Sequence, residues 1–347
     1  MRTKATAVAL LVLVSLGPSL SAQQSLNYSL FERYVAALRE QSAIPGLSAA
    51  IVQGGRVAWS AGFGSADVAG AIPARPDTPY PILDLSQTLA STVLLQQCVD
   101  FGHLEVTDPV RRWISDYPVE DATIGQLLSH TTPGGAYQYD RDRFAALDEV
   151  IHQCANRPYP ALLAEEILER FSMIDSAPGT DLGNAASPNR ALFSGDQLER
   201  YAGVLQRLAV PYRVDDRGRP TRSTIPAVSL SPSTGAVSSA LDLASFDLAI
   251  RDGILLTPAT LRLAWPQNSA TPTGLGWFIQ RVGNDTVVWH AGAATDGFSS
   301  LMIKVPGRDL TVILLANSDR LSAPYAAGAG DVNASIFARL FFRIFLV

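Results

Sequence analysis

Apolar residues recur in two rhythms along the chain. Over residues 25–40, Leu30, Tyr34, Val35 and Leu38 share one face at helical spacing, and Ile44-Pro45-Gly46 ends the pattern. Residues 47–52 and 57–61 are short apolar runs with Gly54-Gly55 between them, which predicts a β-hairpin. Residues 276–282, 287–290, 300–305 and 310–317 predict further strands. The run VILLA at 312–316 is apolar at every position, as in a strand covered on both faces. Helices are predicted over 158–173, with Leu162, Leu163, Ile167 and Leu168 turned inward, and over 239–250. A last helical stripe comprises Ile336, Phe337, Leu340, Phe341 and Ile344; it is too short to cross a bilayer and is expected to close over the sheet. Residues 174–234 are rich in Pro, Gly, Ser and Asn, a long irregular excursion of the kind that often carries function. No internal repeat is present.

The chain has 347 residues, 47% of them hydrophobic, enough for a large core. Residues 1–22 have the pattern of a secretory signal: Arg2 and Lys4, an apolar centre over 5–16, and Leu20-Ser21-Ala22 as cleavage site. The expected destination is therefore periplasmic or extracellular. Removing Arg2 and Lys4 lowers the basic count from 27 to 25 against 32 acidic residues, a mature charge of −7. That balance argues against nucleic acid and against an anionic membrane surface as partner. Cys98 and Cys154 each sit in an apolar helical context, which predicts two buried thiols; in an exported chain a bridge stays open. His103, His130, His152 and His290 show no metal-ligand spacing, so neither a metal nor another cofactor is expected.

The stretch YPILDLSQTLAST at 80–92 carries the chemistry. Asp84 followed by Gln87, just before the apolar positions Leu85, Leu89 and Val93, matches a helix capping box. Asp84 would accept from first-turn amides while Gln87 reaches back to the N-cap amide. Capping requires no chemistry, and it is the expectation preferred here over a catalytic role for either residue.

Around that stretch the chain resembles the serine β-lactamase and penicillin-binding family, most closely its class C-like β-lactamases and carboxylesterases. The resemblance places a nucleophilic Ser at Asp84 and a Lys at Gln87, on one face of a helix. Gln has no proton to exchange, and Asp arrives already ionised. With only Lys4 and Lys304 as lysines, no Ser-x-x-Lys occurs elsewhere. The family's second motif, Tyr-x-Asn, is represented by Tyr139-Asp140-Arg141, so the Tyr is kept and the Asn has become Arg. The third is His290-Ala291-Gly292, followed by Gly297-Phe298-Ser299-Ser300. By analogy the amides of Asp84 and Ala293 would form an oxyanion hole. His130, in TIGQLLSHT, is expected to be structural.

The resemblance implies an α/β (α+β) fold, an antiparallel sheet flanked by helices, with an inserted helical subdomain. The expected division is an α/β part of 23–78 plus 235–347 and a helical part of 79–234. Asp84, Gln87 and Tyr139 then mark degenerate catalytic positions, and Arg141, His290, Gly292 and Ala293 a vestigial pocket for a small-molecule or peptide ligand. The competing expectation is a hydrolase with altered chemistry. Against it, Asp84 attacking an ester or amide would give an anhydride. Ser86, two residues along a helix, turns about 200° away.

Overall fold

The apolar runs read above assemble into one sheet. The structure, a computed structural model, describes residues 20–266, 271–322 and 327–346. Its main sheet contains β1 (Gly46–Gln53), β2 (Val57–Asp67), β3 (Ile72–Pro73), β4 (Phe278–Val282), β5 (Asp285–Ala293), β6 (Ser299–Val305) and β7 (Leu310–Ala316). The order is β3-β2-β1-β7-β6-β5-β4, antiparallel throughout. Both strand groups expected from the sequence therefore share one sheet, with β1 and β7 joining them at its centre. The β1–β2 turn follows from its glycines: Gly54 and Gly55 have φ of +62° and +73°, as a two-residue hairpin turn requires.

Both faces of the sheet are covered, which explains the unbroken apolarity of β7, buried at every position. One face packs against α1 (Leu20–Gln41) and α2 (Ile336–Phe345), through Phe31, Val35, Phe337 and Phe341 on Leu301, Ile303, Val312 and Leu314. The inward face of α1 is thus Phe31 and Val35. Tyr34, expected on that face, is half exposed because it lies on the outer side of the helix. The other face packs against α3 (Ala240–Arg251) and the helical region, through Ala50, Met302, Ile313 and Leu315. The expected signal segment lies outside the described residues except for 20–22, which open α1. Among the described residues no helix is long and apolar enough to cross a membrane.

The chain enters and leaves the helical region through a small antiparallel pair, Tyr80–Pro81 against Val237–Ser238. Within that region Cys98 and Cys154 form a disulfide, with Cα atoms 5.9 Å apart, which corrects the expectation of two free thiols. The apolar helical context of each cysteine suggested burial but could not show that the two helices meet. The bridge ties the helix that begins at Ser86 to helix Leu147–Ala155, which follows the second motif. The fold class expected from the sequence is the one the chain adopts.

Candidate active site

Asp84 sits at the point where the helical region meets the edge of β5. It lies in a single 3-10 turn, Leu83–Leu85, directly ahead of helix Ser86–Leu94. Neither element is capped by a side chain, so the expected capping box does not form. The physical reason lies one residue earlier. Leu83 has φ of +56°, a left-handed conformation uncommon for a branched side chain. That kink turns the Asp84 carboxylate away from its own helix and into the cleft. The kink is held from three sides: Ile82 N donates to Ala236 O at 2.9 Å, Ser300 Oγ donates to Ile82 O at 2.7 Å, and Leu85 N donates to Ile82 O at 3.2 Å.

The carboxylate is buried, and Arg141 Nε stands 2.6 Å from Asp84 Oδ1. This is a charge pair without hydrogen-bond alignment: Oδ1 has no hydrogen-bond partner among the described residues. Burial pushes the Asp84 carboxyl up to about 6, and Arg141 offsets only part of that. Arg141 itself is half exposed and opens the short helix Arg141–Ala145, whose N-cap is Asp140.

Gln87 is fully buried, and both ends of its amide are engaged. Its Nε2 donates to Tyr139 Oη at 2.9 Å, and its Oε1 lies 2.8 Å from His130 Nε2 and 3.3 Å from His290 Nε2. His130 Nδ1 accepts from the Asp140 amide at 3.2 Å, which assigns the ring proton to Nε2 and makes His130 the donor to Gln87. His290 Nδ1 also lies 3.0 Å from Ala291 O; a neutral ring has one proton, so it serves either that carbonyl or Gln87. Burial brings His130 down to about 4 and His290 to about 3, so both rings are neutral at physiological pH. Tyr139 is held well above the ordinary phenol range, by burial first and by the nearby Asp84 charge second. Its ring packs on His130 at 4.3 Å.

Gly292 explains how β5 comes so near. A Cβ there would lie 2.7 Å from Asp84 N, so only glycine allows the strand to approach the turn. Ala293 is the last residue of β5, paired with Ser299, and among the described residues no hydrogen bond joins its amide to the Asp84 carboxylate. The structure therefore brings Asp84, Gln87, Tyr139, Arg141, His290 and Gly292 together. His130, read from the sequence as structural, belongs to the same cluster. A lone histidine in a polar turn carries no pattern of its own. Ser86 points elsewhere: it is fully buried, and its Oγ accepts from the Ala236 amide at 3.2 Å. Lys304 is remote as well, paired inside the protein with Asp247.

A helix N-terminus, the Tyr139 segment and the His290-Ala291-Gly292 strand edge thus meet around Asp84. A family profile described as Beta-lactamase matches residues 31–333, and the chain belongs to that family. The human serine beta-lactamase-like protein LACTB, mitochondrial, is 27% identical over 112 residues, 30% of this chain and 20% of that protein. The matched part thus spans about a fifth of that relative's length. Among solved structures, the octameric penicillin-binding protein homologue from Pyrococcus abyssi has a TM-score of 0.70 at 19% identity, covering 84% of this chain and 74% of that one. The D-amino acid amidase from Ochrobactrum anthropi SV3, complexed with L-phenylalanine, has a TM-score of 0.68 at 18% identity, covering 92% and 98%.

Proposed function

We propose that this chain is an exported, non-acylating member of the family that binds a small-molecule or peptide ligand without turning it over. The observation that carries this reading is the Asp84–Arg141 pair at 2.6 Å, where acyl transfer needs a hydroxyl nucleophile. Gln87 supports it from the neighbouring position. Its amide is spent on Tyr139 and His130 and cannot accept a proton. The two imidazoles are neutral, yet neither contacts a hydroxyl that could attack: Ser86 is sealed against Ala236. The reading of an altered hydrolase has Asp84 as its one remaining nucleophile, and the Oδ1 atom is covered by Arg141. Export is supported by the pattern of residues 1–22 together with a disulfide, which fits an oxidising compartment. An amino-acid- or peptide-like ligand is suggested by the phenylalanine complex of the amidase neighbour.

The test is intact-mass analysis after exposure to a penicillin, a cephalosporin and a reactive fluorophosphonate, with nitrocefin hydrolysis followed in parallel. No mass shift and no turnover are expected. A stoichiometric adduct mapping to Asp84 or Ser86 would overturn the proposal.

A further inference from the structure

The irregular excursion ahead of Gly235 closes a cavity of about 200 Å3 beside the candidate site. Leu83, Pro81, Leu208, Ile225 and Phe298 form its apolar walls, and Thr234 contributes a hydroxyl. Leu83 is the one residue it shares with the kinked turn; Asp84, Gln87, Tyr139 and Arg141 do not line it. Resting on the binding role proposed above, we infer that this cavity, rather than the cleft at Asp84, receives the ligand. The part it takes is an uncharged aryl or branched alkyl group.

Chemistry and size narrow the occupant. Among the described residues no charged side chain lines the cavity, so a charged group would give up its hydration there without a counterion. An apolar cavity of about 150 Å3 in another protein stays dry and takes benzene, so this one accommodates a single ring with a short substituent. The Thr234 hydroxyl has no hydrogen-bond partner among the described residues and sits on the cavity wall. It supplies one polar contact for an amide or hydroxyl that follows the ring.

The walls are set before any ligand arrives. Val228 N donates to Thr180 Oγ1 at 2.8 Å, and Asp181 Oδ2 accepts from Ser187, Asn189 and Ser229 at 2.7, 3.0 and 2.9 Å. These bonds anchor the excursion on one side of the cavity, at Thr180, Val228 and Ser229, and limit the ordering required on binding there. Two glycines are used to build the shape. Gly235 has φ of +110°, and a Cβ there would lie 2.5 Å from Ser229 O. At Gly297 a Cβ would lie 2.0 Å from Ile225 Cδ1, so Ile225 reaches the strand turn only because that residue is glycine. Leu83 keeps a bulky side chain at positive φ where glycine would be unstrained, and that side chain is cavity wall.

The experiment is a 19F NMR titration with 3-(4-fluorophenyl)propionamide, alongside 4-fluorobenzoate, whose charge would have to enter with the ring. The amide is expected to bind saturably and the benzoate roughly tenfold or more weakly. Ala227→Phe, which adds a ring at the cavity wall, is expected to weaken the amide at least about tenfold; Thr234→Val weakens it by a few-fold. Thermal melting of each variant confirms that it is folded. The inference is overturned if the amide shows no saturable binding, or if Ala227→Phe binds as tightly as the parent. It is equally overturned if Arg141→Gln abolishes binding while Ala227→Phe does not, since the ligand would then sit at Asp84. Absence of acyl adducts is measured separately, so this inference can fail while the non-acylating reading stands.

Discussion

Arg141 Nε lies 2.6 Å from Asp84 Oδ1, yet the pair is asymmetric: the carboxylate is buried and the guanidinium half exposed. Solvent screens the Arg141 charge, whereas only 8% of the Asp84 side chain meets solvent. The attraction therefore falls short of the cost of burial, and the carboxyl titrates near 6. The site holds an anion that it only partly compensates, because the scaffold around residue 84 provides no aligned donor to its Oδ1.

A stability measurement follows from that imbalance. A carboxyl raised to about 6 when folded, from about 3.9 when unfolded, favours the folded state at low pH. That contribution is complete below pH 4 and is lost as pH rises through 6, a swing of roughly 3 kcal/mol. Asp84→Asn is uncharged throughout. Its melting temperature should match the parent at pH 4 and exceed it increasingly up to pH 7, where the gain is about 1–3 kcal/mol. A difference independent of pH, or a less stable variant at pH 7.5, would show that Arg141 repays the burial in full.

Gly292→Ala should destabilise by about 1–3 kcal/mol, because the added methyl meets the Asp84 amide and Ile82 O, both backbone, the latter held by Ser300 and Leu85. Chemical denaturation measures this directly. Ala291→Gly, one residue earlier on the same strand, removes a buried methyl without adding a clash and serves as the comparison. If Gly292→Ala is neutral, the strand and the turn are not as closely apposed as described.

The sheet was legible in the sequence because its strands are short apolar runs bounded by turn residues, and because β1 and β7 are buried on both faces. The family resemblance pointed to Asp84, Gln87, Tyr139 and His290, which the fold brings near one another. Three features were not legible, each for a tertiary reason. The Asp84–Gln87 spacing obeys the local rule for a capping box, but bonds from Ala236 and Ser300, far along the chain, impose the Leu83 kink that defeats it. The role of His130 depends on its contact with Gln87 Oε1, which no pattern around residue 130 encodes. Periodicity puts Tyr34 and Phe31 on adjacent faces of α1, and only the packing of α2 decides which is inward.

Reducing the Cys98–Cys154 bridge should cost about 4 kcal/mol by the chain-entropy relation for a 56-residue separation. The bridge lies between the helix that follows Asp84 and the helix that follows Arg141, so its loss should also loosen their pairing. Cys98→Ser with Cys154→Ser should melt well below the parent, and adding reductant to the parent should reproduce the shift. A parent indifferent to reductant would mean that the thiols are not joined in solution.

The last expectation concerns what the site lacks. Asp84→Ser with Gln87→Lys restores a hydroxyl and an amine on one helix face, beside a Tyr139 hydroxyl that already lies 2.9 Å from the residue 87 side chain. Position 87 is fully buried, so the introduced amine would be driven toward its neutral form, which suits a proton acceptor. It could then accept from His130 Nε2 as Gln87 Oε1 does now. Arg141 is the obstacle: without Asp84 it becomes an unpaired cation at the mouth of the cleft, repelling positive charge as it forms on the amine. Adding Arg141→Asn removes it. The triple variant should hydrolyse p-nitrophenyl acetate above the parent background, with kcat/KM roughly tenfold over the double variant, one pKa unit of relieved repulsion. It should also take up one fluorophosphonate at position 84. A triple variant that melts like the parent but takes up no label would show that the divergence extends past these three positions, with Leu83 and its φ of +56° the next residue to change.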